Sequence, residues 1–198
     1  MSRMVQLWRI ATHPRELRLA LSGLGMRLGC DDAMGGLTSE ETAALVRWAS
    51  DQNIGTFVEI GTLFGLTSRT VAEATSKNVV AVDNFCWNPF GLTARQHEAF
   101  TRRILSGSGV ELVNSDAVAF LESLSSHVDV SRTLVFLDGS HAYEDVRREI
   151  EICIAQGARF VSGHDFGNGR FGVTKAVREL LGEPDEVCGM CWIRRIVQ

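Results

Sequence analysis

Glu59, Asp83, Asp116, Asp138 and Asp165 each lie at or just beyond the end of a short apolar run, and two histidines, His141 and His164, accompany the last two. A carboxylate at a partly buried strand end needs a partner, so this recurrence points to hydroxyl or cation binding more than to solubility. Asp138 and the His164-Asp165 pair could converge on one ion. An imidazole among the oxygens weakens the case for magnesium and suits manganese or zinc better. Without an ion, Asp138 and Asp165 would order a pocket wall. His141, three residues beyond Asp138, is the candidate general base, because a neutral imidazole at physiological pH can remove a hydroxyl proton. Capping a helix or fixing the neighbouring Asp are the competing roles for His141. His164 could serve as ligand or base. His13, His97 and His127 fall outside these groupings and are expected at the surface.

Residues 57–68, Phe-Val-Glu-Ile-Gly-Thr-Leu-Phe-Gly-Leu-Thr-Ser, supply the element that would hold a ligand. Phe57, Val58 and Ile60 read as a buried strand, and Gly61 and Gly65 as points where backbone passes a ligand without Cβ obstruction. Thr67 and Ser68 then open a helix whose unpaired N–H groups would face that ligand. Further strands are expected at Val79 to Asp83, Val110 to Asn114, Thr133 to Asp138, Ala158 to Gly163, Glu186 to Cys188 and Cys191 to Val197. Helices are expected over 143–157 and 173–181, and after the Thr38-Ser-Glu-Glu cap. This alternation predicts a doubly wound α/β sheet, in which ligands bind beyond the carboxyl ends of the strands.

The 198 residues, 45% of them hydrophobic, fit one domain with a full core. A formal net charge of −4 argues against a nucleic-acid partner. The absence of a long apolar run or a signal-like start predicts a cytoplasmic protein with no membrane partner. Five scattered cysteines do not suggest a disulfide framework. Cys188-Gly-Met-Cys191 has redox-motif spacing, but its position between two β-type runs favours a hairpin over a redox or zinc site.

A dinucleotide site would want Gly-x-Gly-x-x-Gly with an acid about 20 residues later. Here the turn reads Glu-x-Gly-x-x-x-Gly, while Asp83 keeps the acid that could grip a ribose diol. An anionic Glu59 suits a ligand carrying ammonium and sulfonium charge better than one with two phosphates. From about residue 37 onward the chain resembles the class I S-adenosylmethionine-dependent methyltransferases, in particular the small-molecule O-methyltransferase branch that includes macrocin O-methyltransferase-like enzymes. The likeness rests on an ordered set: Val-Glu-Ile-Gly-Thr-Leu-Phe-Gly-Leu-Thr-Ser (58–68), Ala-Val-Asp (81–83), Val-Asn-Ser-Asp-Ala (113–117), Leu-Asp-Gly-Ser-His-Ala-Tyr-Glu-Asp-Val (137–146), Gly-His-Asp-Phe (163–166) and Gly-Val-Thr-Lys-Ala-Val (172–177).

The resemblance implies a Rossmann-like, mostly parallel sheet of order 3-2-1-4-5-7-6 with an antiparallel C-terminal strand, preceded by a helical extension over 1–36. It implies that Glu59, Gly61 and Gly65 border the methionine moiety of S-adenosylmethionine, with Thr62, Thr67 and Ser68 among the cofactor-binding residues. Asp83 with Asn84 would hold the ribose, Asp116 with Ala117 the adenine, and Asp138 the same pocket. For Asp116 an N-cap role on the following helix carries equal weight. In metal-dependent relatives, residues placed like Asp138, His164 and Asp165 hold a divalent cation, magnesium or another. Methyl transfer to a hydroxyl of a small metabolite is the expected activity, with His141 or His164 as base. The alternatives are an N- or C-methyltransferase, a dehydrogenase of the same fold, and a non-catalytic cofactor-binding domain. Asn88-Pro-Phe resembles an amino-methylating signature but follows the second strand instead of the fourth. Met34 to Leu37, Phe85 to Leu92 and Gly167 to Phe171 are expected near the acceptor, with Arg170 able to pair with an anionic substrate. Leu17, Leu21 and Leu24 would cap the pocket or pack on a second copy in a homodimer.

Overall fold

The computed structural model describes residues 37–87 and 92–196. The extension expected over 1–36, its leucine face, Asn88-Pro-Phe and Val197 lie outside the described residues. Helix α1 (Ser39–Ala49) starts at the expected cap: Thr38 and Glu41 form a reciprocal capping box. Strand β1 (Thr56–Ile60) follows, then α2 (Leu66–Thr75) and β2 (Asn78–Asp83). Next come α3 (Ala94–Leu105), β3 (Glu111–Asn114), and two short helices, α4 (Ala117–Glu122) and α5 (Leu124–His127). The second half comprises β4 (Thr133–Leu137), α6 (Tyr143–Ala155), β5 (Phe160–Gly163), α7 (Val173–Leu181), β6 (Glu186–Cys188) and β7 (Cys191–Arg195).

These strands form a seven-stranded sheet of order β3-β2-β1-β4-β5-β7-β6, as expected. The first five run parallel, and β7 pairs antiparallel with both β5 and β6. Every residue of β1 and β4 is buried, as central strands covered on both faces must be. On one face α4, α6 and α7 bring Phe120, Leu121, Val146, Ile150 and Val177 against Val58, Val135 and Val161. On the other, Leu45 and Trp48 of α1 pack with Phe57, Leu134 and Phe136. The Cys188–Cys191 segment is the expected hairpin, with the two cysteines paired in register. Helix α3 has no counterpart in the sequence reading: its inward face carries His97 and Thr101 beside Ile104 and Leu105, which breaks the apolar repeat.

Candidate active site

At the carboxyl ends of β1, β2 and β4 opens a cavity of about 1610 Å³, lined among others by Glu59, Gly61, Asp83, Asp116, Asp138 and His141. The register sets this convergence, since Ile60 lies beside Val82 and Leu137 and the residues beyond them leave the sheet together. Thr62, Thr67, Asn84, Ala117, His164 and Asp165 line the same cavity.

The β1 turn is built by hydrogen bonds to two buried acids. Glu59, 2% exposed, accepts from the Thr62 and Ser68 hydroxyls and from the Ser68 N–H, all on Oε2. Burial raises its pKa to about 7 despite these donors. Its role seen here is to brace the turn against the start of α2. Asp83 accepts from the Leu63 N–H (2.8 Å) on Oδ2 and the Phe85 N–H (2.6 Å) on Oδ1. Each Asp83 oxygen retains acceptor capacity for a hydroxyl of a ligand. The two glycines owe their identity first to the protein's own packing. Gly61 has φ +87°, and a Cβ there would lie 2.3 Å from Gly139 Cα of the β4 turn. Gly65, at φ +79°, would drive a Cβ into Leu105 of α3.

His97, expected at the surface, is fully buried. Its Nε2 bonds the Leu63 carbonyl (3.0 Å), and the Thr101 hydroxyl donates to the same oxygen (2.7 Å). Phe64 and Phe85 pack on its ring, and burial lowers its pKa. His127 is exposed as expected, and His13 lies outside the described residues. Asp116 is the N-cap of α4, accepting from the Val118 and Ala119 N–H groups on Oδ1.

Beyond β4 and β5 the acids and histidines form one chain of contacts. His141 Nδ1 lies 3.2 Å from Asp165 Oδ2. His164 Nδ1 stands 3.5 Å from the same oxygen and 3.8 Å from Asp138 Oδ1. On its other side His164 Nε2 meets Glu41 Oε1 at 3.4 Å. Burial pushes the Asp138 carboxyl well up, and Glu59, Asp165 and Glu41 add to the effect. Burial lowers His141, with the Asp165 carboxylate opposing it. Glu41 would also be raised by burial, but the Met190 and Thr38 N–H groups and His164 hold it below the usual range.

Glu41 is the site residue that sequence reasoning missed. It was legible only as half of a capping box. Asp165 adopts φ +61°, a left-handed conformation that Asp tolerates, and Asn168 Nδ2 holds its Oδ1 at 2.8 Å. Phe171 packs on the His141 ring at 4.6 Å and lines the cavity, as do Leu37, Cys86 and Trp87. Arg170 is exposed and does not line it.

A methyltransferase domain family matches residues 58–159, just over half of the chain. The chain belongs to that family. No curated protein sequence matches it significantly. Solved structures of this methyltransferase fold superpose well. An O-methyltransferase from Bacillus cereus in complex with SAH gives a TM-score of 0.61 at 14% identity, over 83% of this chain and 84% of that one. Rv0187 from MTB, cofactor-bound, gives 0.61 at 18%, over 96% and 95%. The O-methyltransferase TomG from Streptomyces achromogenes, in complex with SAM, gives 0.59 at 17%, over 86% of each.

The donor set of this methyltransferase domain fits a divalent cation. Ligand atoms of Asp138, His141 and Asp165 all lie within 4.8 Å of one another, joining two carboxylates to an imidazole. Sequence reasoning put His164 in this set; its Nδ1 does lie beside both acids, at 3.5 Å from Asp165 and 3.8 Å from Asp138, while the cluster of ligand atoms also brings in His141 and His164 Nε2 meets Glu41.

Proposed function

We propose that this protein transfers a methyl group from S-adenosylmethionine to a hydroxyl of a small metabolite. The observation that carries the reading is one cavity with Asp83 and the β1 turn on one wall and the His141–Asp165 pair on another. When bound, S-adenosylmethionine would supply a methyl group already activated by a sulfonium charge. The protein's share is then alignment and proton removal.

Asp83 suits the ribose hydroxyls, because its oxygens are aimed by two backbone N–H groups and cannot swing away. The Asp165 carboxylate, 3.2 Å from His141 Nδ1, favours the tautomer protonated on that nitrogen and so leaves Nε2 as the imidazole's acceptor. The acceptor's hydroxyl proton passes to that Nε2, and Phe171 keeps the ring from turning. His164, only 8% exposed and engaged on both nitrogens, is a positioning group for Asp165 and Asp138. A second reading adds a cation held by Asp138, His141 and Asp165, favoured by the closeness of their ligand atoms and by the carboxylates that, after burial, help to raise Asp138. Such an ion would lower the pKa of a coordinated hydroxyl.

One titration series tests both readings. Calorimetry should show S-adenosylhomocysteine binding to the wild type and a loss of tenfold or more in Asp83→Ala. Absence of heat with the wild type defeats the cofactor assignment. Methylation that survives excess chelator, at substoichiometric metal content, removes the ion.

A further inference from the structure

Glu149, on α6, is a buried acid that the mechanism above does not use. Its side chain is 2% exposed, its Oε2 has no hydrogen-bond partner among the described residues, and it borders the cavity beside Asp116, Ala117 and Val118. The rest of α6 offers it no donor. Arg147 pairs with Glu151, Arg148 with Glu122, and Gln156 Nε2 donates to the Glu122 carbonyl. The charged groups that act on it, Asp145 and Asp116, are carboxylates, which accept and cannot donate while ionised. A buried carboxyl left this way is costly, and a leucine, as apolar as its neighbours Phe120, Ile150 and Cys153, would avoid that cost. The group is therefore best explained by something that enters from the cavity.

We propose that Glu149, as a neutral carboxylic acid, reads the edge of the adenine ring that carries the N6 amine and an adjacent ring nitrogen. The inference rests on the S-adenosylmethionine reading given above and adds to it a specificity-determining residue. Three points agree. Glu149 lines the cavity beside Asp116 and Ala117, the pair that the resemblance implies for adenine. Burial, helped by Asp145 and Asp116, raises its pKa to about 8, so the proton is retained at neutral pH. A neutral carboxyl offers one donor and one acceptor side by side, the complement of a ring nitrogen beside an amine. An ionised acid would present two acceptors and repel the ring nitrogen.

The test is a calorimetric cycle at pH 7 with S-adenosylhomocysteine and its 1-deaza and 7-deaza analogues, on wild type, Glu149→Gln and Glu149→Leu. Glu149→Gln keeps a donor and an acceptor and should bind S-adenosylhomocysteine within about threefold of wild type. Glu149→Leu should bind it tenfold or more weakly while melting at a higher temperature without ligand, opposite movements that a purely structural residue would not produce. On the wild type, one deaza analogue should lose about tenfold, and Glu149→Leu should erase that difference. The inference fails if both analogues bind the wild type as the parent does, if the analogue penalty persists in Glu149→Leu, or if that variant binds the parent unchanged. Those results leave the cofactor reading intact, whereas a wild type that binds no S-adenosylhomocysteine defeats both.

Discussion

The pairing of His141 with Asp165 makes opposing demands on one imidazole. Burial disfavours its charged form, and the carboxylate 3.2 Å away favours it. Burial wins, so His141 titrates below its ordinary value and is neutral at physiological pH. If it is the base, kcat/KM should rise with pH through a value below about 6.5 and be level by pH 7. Asp165→Asn removes the group that holds the pKa up, so the acidic limb should move to lower pH while the plateau falls. Asparagine keeps the left-handed backbone of residue 165, which makes this variant cleaner than alanine. His141→Ala should lose about a hundredfold or more in kcat and no affinity for S-adenosylhomocysteine. A pH profile of His141→Ala that retains the wild-type limb would assign the base elsewhere.

Between the elements, the decisive contact is the crossing of the β1 turn over the β4 turn. Gly61→Ala would force a side chain into a left-handed position and into Gly139, and should cost roughly 2–4 kcal/mol. Urea denaturation would measure that loss; a change under 0.5 kcal/mol would mean that the turns are not held in this register. The hairpin and the helices α6 and α7 were legible because their apolar periods are clean and their turns carry glycine, whereas the sheet order came from the resemblance to the methyltransferases. Helix α3 was not, because it buries His97 and Thr101 to satisfy the Leu63 carbonyl. Residue periodicity reports hydrophobicity, and a helix whose inner face is chosen for hydrogen bonding escapes it. Thr93-x-x-Gln96, a capping box, was its readable start. Glu41 shows the same limit from another side: the local cap was legible, the contact with His164 across 123 positions was not. The carboxylates at strand ends were legible as a set, since the fold alone brings those ends together. Their division into a turn brace (Glu59), an acceptor of two loop N–H groups (Asp83) and a helix cap (Asp116) depended on hydrogen bonds that spacing does not encode.

Across the whole molecule, the cavity gathers acids that resist ionisation, and stability should record it. A carboxyl whose folded pKa stands above its unfolded value keeps its proton in the native state after the unfolded chain has released its own. Stability then falls as pH rises through that window. For Glu59 the window runs from about 4.5 to about 7, and for Glu149 from about 4.5 to about 8. His97 and His141, both lowered by burial, act in the opposite sense up to about 6.5, where the unfolded chain has lost its imidazolium charge. Above that pH the decline is unopposed by these histidines. Each acid still titrating contributes about 1.4 kcal/mol per pH unit, so Glu59 and Glu149 together should cost the ligand-free protein roughly 2–3 kcal/mol between pH 6.5 and 8. Urea midpoints at the two pH values measure this, and Glu59→Gln with Glu149→Gln should shrink the difference, the remainder coming from Asp138, which burial also holds well up. Stability that holds or rises over that interval in the wild type would mean that these two acids are already ionised in the folded protein. A divalent cation held by Asp138, His141 and Asp165 would stabilise the protein at both pH values by mass action, with the slope set by Glu59 and Glu149 persisting beneath it.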